Sequence, residues 1–184
     1  MTAIKLSVRE MQVSDIDLIT RYWLQSDHHF LKGMGVDVSK IPLKEDLQKM
    51  LTNQFQLPVE QRRSYCIIWE ADGKPVGHCN TNPTHFGDYA YMHLHLWQPT
   101  ERKKGMGLQL VKLTLPYFFE KLHLKQLYCE PYALNPAPNK TIPKAGFHLV
   151  KEYTTTPGAL NFEQPVKQWL LTREKFNQLY SNAH

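Results

Sequence analysis

Between Tyr89 and Leu122 the hydrophobic period of the chain changes once, across a glycine-rich turn. Tyr89 to Trp97 (YAYMHLHLW) alternates in the manner of a strand. Tyr89, Tyr91, His93, His95 and Trp97 fall on one face, and Ala90, Met92, Leu94 and Leu96 on the other. Further on, Leu108, Val111, Leu115, Phe118, Phe119 and Leu122 recur at the spacing of one helical stripe. Between the two lies Arg102-Lys103-Lys104-Gly105-Met106-Gly107. A strand, a basic glycine turn and a helix N-terminus in succession make an anion site. The first N–H groups of a helix lack internal partners, and the macrodipole adds partial positive charge there. Glycine lets the backbone approach a ligand, and Arg102, Lys103 and Lys104 add charge that a pyrophosphate or 3′-phosphate neutralises. A basic surface turn is the plainer reading of Gly-x-Gly alone. The spacing excludes a P-loop, and Leu110 stands where a dinucleotide fingerprint requires a third glycine.

The length of 184 residues fits one domain, expected over residues 1–184, and suffices for a proper core. A net charge of +5, spread without a Lys/Arg block, suits an anionic ligand, and no RNA-binding, zinc-finger or basic-zipper signature occurs. No nucleic-acid partner is expected. Cys66, Cys79 and Cys129 are odd in number and sit in apolar runs, as reduced core thiols do. The N-terminal stretch lacks an apolar signal core and no run approaches a membrane span, so a cytoplasmic protein without a membrane partner, monomeric or homodimeric, is expected.

Along the chain, Ile4 to Arg9 alternates as a first strand, and Ser14 with Asp17 suggests a short-armed capping box opening a helix. Leu18, Ile19, Tyr22 and Trp23 make its apolar side. From Gln25 to Ile41 no periodicity is visible. Pro42 suits the first turn of a second helix carrying Leu43, Leu47, Met50, Leu51 and Phe55. Ser64 to Glu70 and Pro75 to Asn80 read as strands joined by an Asp72-Gly73 hairpin turn, with Thr81 to Asp88 a loop. Pro116 should bend the long helix. Gln126 to Glu130 is a short buried strand. The proline-rich stretch after it has room for at most two helical turns, and Phe147 to Thr154 and Val166 to Thr172 are the last strands. The outcome is a mixed α/β domain.

This order of elements, with Arg102-x-x-Gly105-x-Gly107 between the fourth strand and its helix, resembles the GNAT acetyltransferase superfamily. Pro99 before the turn, and Asn135, Lys144, Gly146 and Phe147 after the fifth strand, stand in the family's register. The resemblance implies a GNAT fold: a central, mostly antiparallel sheet of six to seven strands flanked by helices, with strands 4 and 5 splayed apart. It implies acetyl-CoA, or another acyl-CoA, as cosubstrate. Backbone amides from Arg102 to Gly107, Met106 included, would hold its pyrophosphate, the backbone near Leu96 and Trp97 would pair with the pantetheine arm, and Asn135 would hydrogen-bond the cofactor. The run from Glu130 to Phe147 is similar to ribosomal-protein N-terminal acetyltransferases, aminoglycoside 6′-acetyltransferases and siderophore lysine acyltransferases. Two departures stand out. Ile142 occupies the position of a tyrosine that in many members protonates the departing thiolate, and Tyr132 replaces an acidic residue of siderophore-type members.

Acyl transfer from a thioester to an amine needs the amine deprotonated, positioned and the thiolate stabilised. His93 and His95 are candidate bases, because their strand adjoins the turn and imidazole titrates near neutral pH. Packing roles are the alternative. A bulge would send the two to opposite faces. Glu130 is placed to relay a proton, to bind an ammonium, or only to cap a loop; Tyr128, Tyr132 and Tyr153 are possible replacement acids. Asp27, His28 and His29 lie where the superfamily binds acceptor, or form a solvated loop. His93-x-His95 presents two imidazoles on one face that can ligate one ion, with His78 or His85 as a third ligand, but no local spacing fixes that third ligand and no metal is expected. Two function classes follow: an N-acyltransferase moving acetyl from acetyl-CoA to a primary amine in a ternary complex, or a non-catalytic acyl-CoA-binding module. The acceptor, a small-molecule or peptide amine, is not encoded in any readable motif.

Overall fold

The computed structural model describes residues 4–97 and 105–180. Seven strands are present: β1 (Leu6–Glu10), β2 (Tyr65–Ala71), β3 (Lys74–Thr84), β4 (Tyr89–Leu96), β5 (Gln126–Cys129), β6 (His148–Thr155) and β7 (Gln164–Thr172). They form one sheet in the order β1-β2-β3-β4-β5-β7-β6. All neighbours run antiparallel except β4 and β5, which are parallel. The helices are α1 (Asp15–Gln25), α2 (His28–Gly33), α3 (Lys44–Gln56), α4 (Met106–Pro116), α5 (Pro136–Thr141) and α6 (Arg173–Tyr180). The sheet and its flanking helices match the mixed α/β GNAT fold expected from the sequence.

The main core lies on one face of the sheet. Ile67 and Trp69 of β2, Ala90 and Met92 of β4 and Leu127 of β5 pack there against Leu110, Val111 and Leu115 of α4 and Phe176 of α6. The alternation of β4 decides this, since Ala90 and Met92 are buried while Tyr89, Tyr91 and His93 are only half covered. On the opposite face Ile16, Ile19 and Tyr22 of α1, Leu31 of α2 and Leu47 of α3 form a smaller buried layer. Arg9 ties α1 to the sheet. Its guanidinium grips Asp15 through two hydrogen bonds of 2.7 and 2.9 Å, and Nε donates to Glu70 at 2.8 Å. Burial alone would raise the Asp15 carboxyl, but Arg9 and the Gln12 amide outweigh it and hold it below its ordinary value.

The β2–β3 hairpin turns at Asp72 and Gly73, with φ of 50° and 73°, as the Asp-Gly pair predicts. Several boundaries differ from expectation. Ser14 makes no side-chain cap; the Gln12 amide donates to Asp15 instead, so an acid already recruited by Arg9 organises that helix entry. Pro42 lies before α3 rather than in its first turn, and of its expected apolar face only Leu47 is buried, with Leu43 and Met50 exposed. The aperiodic stretch after Gln25 contains α2, too short to show a period, and Asp27 caps it. β3 runs on to Thr84, with a register shift between Thr81 and Thr84 that breaks the alternation a strand normally displays. Pro116 has no N–H for the carbonyl one turn back, and the chain widens there into a π-helical turn, Tyr117–Lys121. α6 was not anticipated; its single buried residue, Phe176, gives no periodic stripe.

β4 and β5 pair only at Tyr89↔Gln126, Ala90↔Leu127 and Tyr91↔Tyr128. Beyond that point β4 continues to Leu96 while β5 ends at Cys129 and pairs with β7 alone. The two strands therefore start together and part, as expected.

Candidate active site at the parting strands

The gap between β4 and β5 is lined by backbone on the β4 side. The Trp97 amide donates to the Val76 carbonyl of β3 at 2.9 Å. β3 and β4 pair one to one from Gly77↔Leu96 to Thr81↔Met92, without a bulge. Along such a ladder the backbone groups of successive residues point to alternate edges. Those of Leu94 and Leu96 therefore face the gap. Of the two residues expected to meet a pantetheine arm, Leu96 is directed to it and the Trp97 amide is turned to β3. Gly77 makes the pairing possible, since a Cβ there would lie 2.4 Å from the His95 carbonyl oxygen.

At the mouth of the gap α4 begins. Gly105 precedes it in the left-handed region, with φ of 70°. Among the described residues a Cβ built on Gly105 or Gly107 would meet no atom within 4 Å, so none of them fills the space over the first turn of the helix. Met106 is buried and anchors the turn in the core. Open space above unpaired helix amides fits an anionic phosphate. Arg102, Lys103 and Lys104, with Pro99, lie outside the described residues.

The continuous register settles the question of the histidines: His93 and His95 share one face, away from α4. His93 Nε2 donates to the Asn82 carbonyl at 2.7 Å, an oxygen that the register shift in β3 has left out of the ladder. In the neutral ring this fixes the lone pair on Nδ1. Burial lowers the His93 pKa, while the Asn82 carbonyl and the charge of Glu130 act the other way. His95 lies deeper among aromatic rings. Its Nδ1 is 3.1 Å from the Tyr22 hydroxyl, and it stacks on His78 with ring centroids 4.5 Å apart. Burial, and then His78 and His93, push its pKa well below the ordinary imidazole value. His78, only 3% exposed, accepts from Trp97 Nε1 at 2.7 Å, and burial pushes it down to about 3. Among the described residues no three His, Cys, Asp or Glu side chains converge on a metal site.

Glu130 follows β5. Two steps on from the pair Tyr91↔Tyr128, His93 and Glu130 would be partners had the strands not parted. Tyr153 of β6 and Gln168 of β7 both donate to Glu130 Oε1, each at 2.5 Å. Tyr91 and Tyr128 stack beside this group, 5.2 Å between centroids. Burial raises the Tyr153 hydroxyl pKa, and Glu130 raises it further, so Tyr153 stays protonated. Tyr128 donates to Gln126, and Tyr132 packs edge-on against Phe162. Ile142 is fully buried in the core. The contributions of Tyr22, Gln168 and the Asn82 carbonyl were missed by sequence reasoning. They carry no motif and reach the site only through register and helix packing.

Asn135 caps α5, its Oδ1 accepting from the Ala137 amide at 3.3 Å. Asn139 staples the same turn, donating to the Tyr132 and Asn135 carbonyls and accepting from Trp169 Nε1. Asp27 caps α2, accepting from the Phe30 amide at 2.9 Å. His28 and His29 are exposed in the first turn of that helix and make no hydrogen bond to His93, His95 or Glu130.

A sheet opened between parallel β4 and β5, with a glycine turn and helix amides at the mouth of the gap, defines an acyl-CoA-dependent acetyltransferase. The model of the acetyltransferase (GNAT) domain family matches residues 5–148; the chain belongs to that family and is an N-acetyltransferase with acetyl-CoA as its donor. No curated protein matches it in sequence. Among solved structures it is similar to spermidine N-acetyltransferase from Vibrio cholerae in complex with CoA and spermine, with TM-score 0.75 and 16% identity over 93% of this chain and 97% of that one. It is also similar to RimL, a ribosomal L7/L12 α-N-protein acetyltransferase in complex with coenzyme A (TM-score 0.72, 14% identity, 92% and 98% covered). A third is the aminoglycoside acetyltransferase AAC(6')-Ib in complex with coenzyme A (TM-score 0.71, 18% identity, 95% and 98% covered). At these identities the likeness is one of fold. Among the described residues no helix is long and apolar enough to cross a membrane.

Proposed function

We propose that residues 1–184 act as one acyltransferase domain that moves an acetyl group directly from acetyl-CoA to a primary amine while both are bound. The observation that carries this is the position of His93 and Glu130, on one sheet face and on either side of the point where β4 and β5 part. When bound, acetyl-CoA supplies a thioester carbonyl open to attack by nitrogen and a thiolate that leaves.

The protein's own groups do the rest. The amides of Gly105, Met106 and Gly107 take the phosphates at the start of α4, and Arg102, Lys103 and Lys104 add charge. Leu94 and Leu96 offer backbone groups to an amide-bearing arm. Asn135, with Oδ1 committed to its cap, offers Nδ2. Glu130 attracts the ammonium form of the acceptor. His93, held neutral by burial and with its lone pair on Nδ1, removes the proton. His95, braced by Tyr22 and His78, forms the wall beside it. On the family resemblance, Asp27 at the cap of α2 and His28 and His29 in its first turn would meet the acceptor. The spermine in the Vibrio cholerae complex supports a small-molecule amine as acceptor, and the RimL likeness keeps a peptide N-terminus in view.

The test is thiol release from acetyl-CoA with spermidine, an aminoglycoside and a peptide bearing a free N-terminus. Direct transfer gives intersecting double-reciprocal lines for the accepted amine. Parallel lines would contradict it. Coenzyme A binding without thiol release to any amine would return the chain to a binding module.

A further inference from the structure

On the face that carries His93, His95 and Glu130, the segment after α2 is fastened to the loop between β6 and β7. The Gly35 carbonyl accepts two hydrogen bonds, from Gln164 Nε2 and Asn161 Nδ2, each at 2.8 Å. The Asp37 amide donates to the Leu160 carbonyl at 2.8 Å, Lys40 Nζ donates to the Asn161 carbonyl at 2.7 Å, and Val36 bridges to Asn161. Gly35 has φ of 88°, which strains any larger residue, and a Cβ there would lie 1.9 Å from Gln164 Oε1 and push that side chain aside.

The fastening joins contacts that reach β4 on one side of the gap and the end of β5 on the other. From Gly35 it runs back to Met34, whose sulfur accepts from the Tyr22 hydroxyl at 3.8 Å, and that hydroxyl meets His95 on β4. In the other direction Gln164 also donates to the Phe162 carbonyl, Phe162 packs edge-on against Tyr132, and Tyr132 stands two residues past Glu130. Alternation along β7 sets Gln164 on the same face as Gln168, which holds Glu130. Gln164 is 1% exposed, and among the described residues its Oε1 has no hydrogen-bond partner. An unpaired buried acceptor is a cost to stability that an apolar side chain of the same shape would not carry. What the glutamine contributes is the hold on Gly35.

We propose that Asn161 and Gln164 are positioning residues that close a collar around the acceptor entrance, so that the site admits a slender, unbranched primary amine and rejects one branched at the carbon bearing nitrogen. This rests on reading the His93–Glu130 face as the acceptor site. Without the two side-chain donors of this clasp the Gly35 carbonyl loses both hydrogen bonds, only the Val36, Asp37 and Lys40 contacts hold the segment, and the entrance loosens.

The experiment compares the wild type with Gln164→Met, which keeps length and removes the donor, and with the milder Asn161→Ala. Binding of n-hexylamine and cyclohexylamine is titrated calorimetrically into each protein saturated with coenzyme A, and amide exchange is followed over residues 34–40. The wild type should prefer the straight-chain amine. In both variants exchange over 34–40 should quicken, hexylamine affinity should fall about tenfold, and the preference over cyclohexylamine should shrink, with coenzyme A affinity unchanged. Faster exchange with unaltered affinity and preference would make the clasp merely structural and overturn the proposal. So would a wild type that binds both amines equally. A wild type that binds neither amine and releases no thiol would overturn the acceptor-site reading itself, and the collar with it.

Discussion

Gly107 is where the donor site reduces to one side chain. Among the described residues nothing lies within 4 Å of where its Cβ would be, so a larger residue meets none of them and projects into the space proposed for phosphate. Gly107→Glu should therefore fold normally yet lose the thermal stabilisation that acetyl-CoA gives the wild type by binding the native state. Equal shifts in both proteins, read by differential scanning fluorimetry, would remove the phosphate from this turn. Gly105 is different, because its left-handed backbone makes any substitution costly for folding as well. Both glycines were legible as a turn that opens a helix. The pairing of His93 and His95 on one face was legible from alternation too, but their states were not. His78 beneath His95, and the Asn82 carbonyl on His93, come from β3, a different strand whose register no local pattern reveals. Likewise Glu130 was legible as a strand-end carboxylate, while its donors Tyr153 and Gln168 arrive from β6 and β7.

At the level of elements, the strands and the long helix were readable where one face is buried and the other wet, as in β4 and α4. They were not readable where the chain is covered on both sides or too short for a period, as in α2 and α6. The join between α1 and the sheet depends on one guanidinium. Arg9 belongs to β1, Asp15 to α1 and Glu70 to β2, and Asp15 is 2% exposed. Arg9→Met leaves that carboxylate without its cation, which costs about 3 kcal/mol for a buried pair broken on one side. Urea unfolding should show a lower midpoint with an unchanged slope, and a change under about 0.5 kcal/mol would mean the pair is no more than a surface contact. The same pair explains why a serine cap was expected and an aspartate found. Sequence pattern shows which residues are able to cap a helix, while tertiary charge decides which one does.

For the whole molecule, three imidazoles on one face are held neutral, and this couples stability to pH. His78 titrates near 6.5 when unfolded and is pushed down to about 3 in the fold. Between those values the unfolded chain binds a proton that the native protein does not, so stability is complete above pH 6.5 and declines as pH falls toward 3. His95 and His93 are shifted in the same direction and add to the decline. His78→Gln keeps an acceptor for Trp97 Nε1 without titrating, and its melting temperature should fall less steeply from pH 7 to pH 4. Parallel curves for the two proteins would mean that the acid sensitivity lies elsewhere. The fold as a whole followed from the order of elements and two motifs, but the function of the gap depends on where β4 and β5 cease to pair, a property of the assembled sheet. The role of His93 as base is read from the pH dependence of kcat in wild type and His93→Gln, with an accepted amine and saturating acetyl-CoA. The wild type should show an acid limb below pH 6.5, the ordinary imidazole value, because burial lowers the His93 pKa. In the variant that limb should disappear, turnover at pH 7 should drop about a hundredfold, and the KM for acetyl-CoA should stay within about threefold. A His93→Gln enzyme with wild-type turnover and the same acid limb would contradict it.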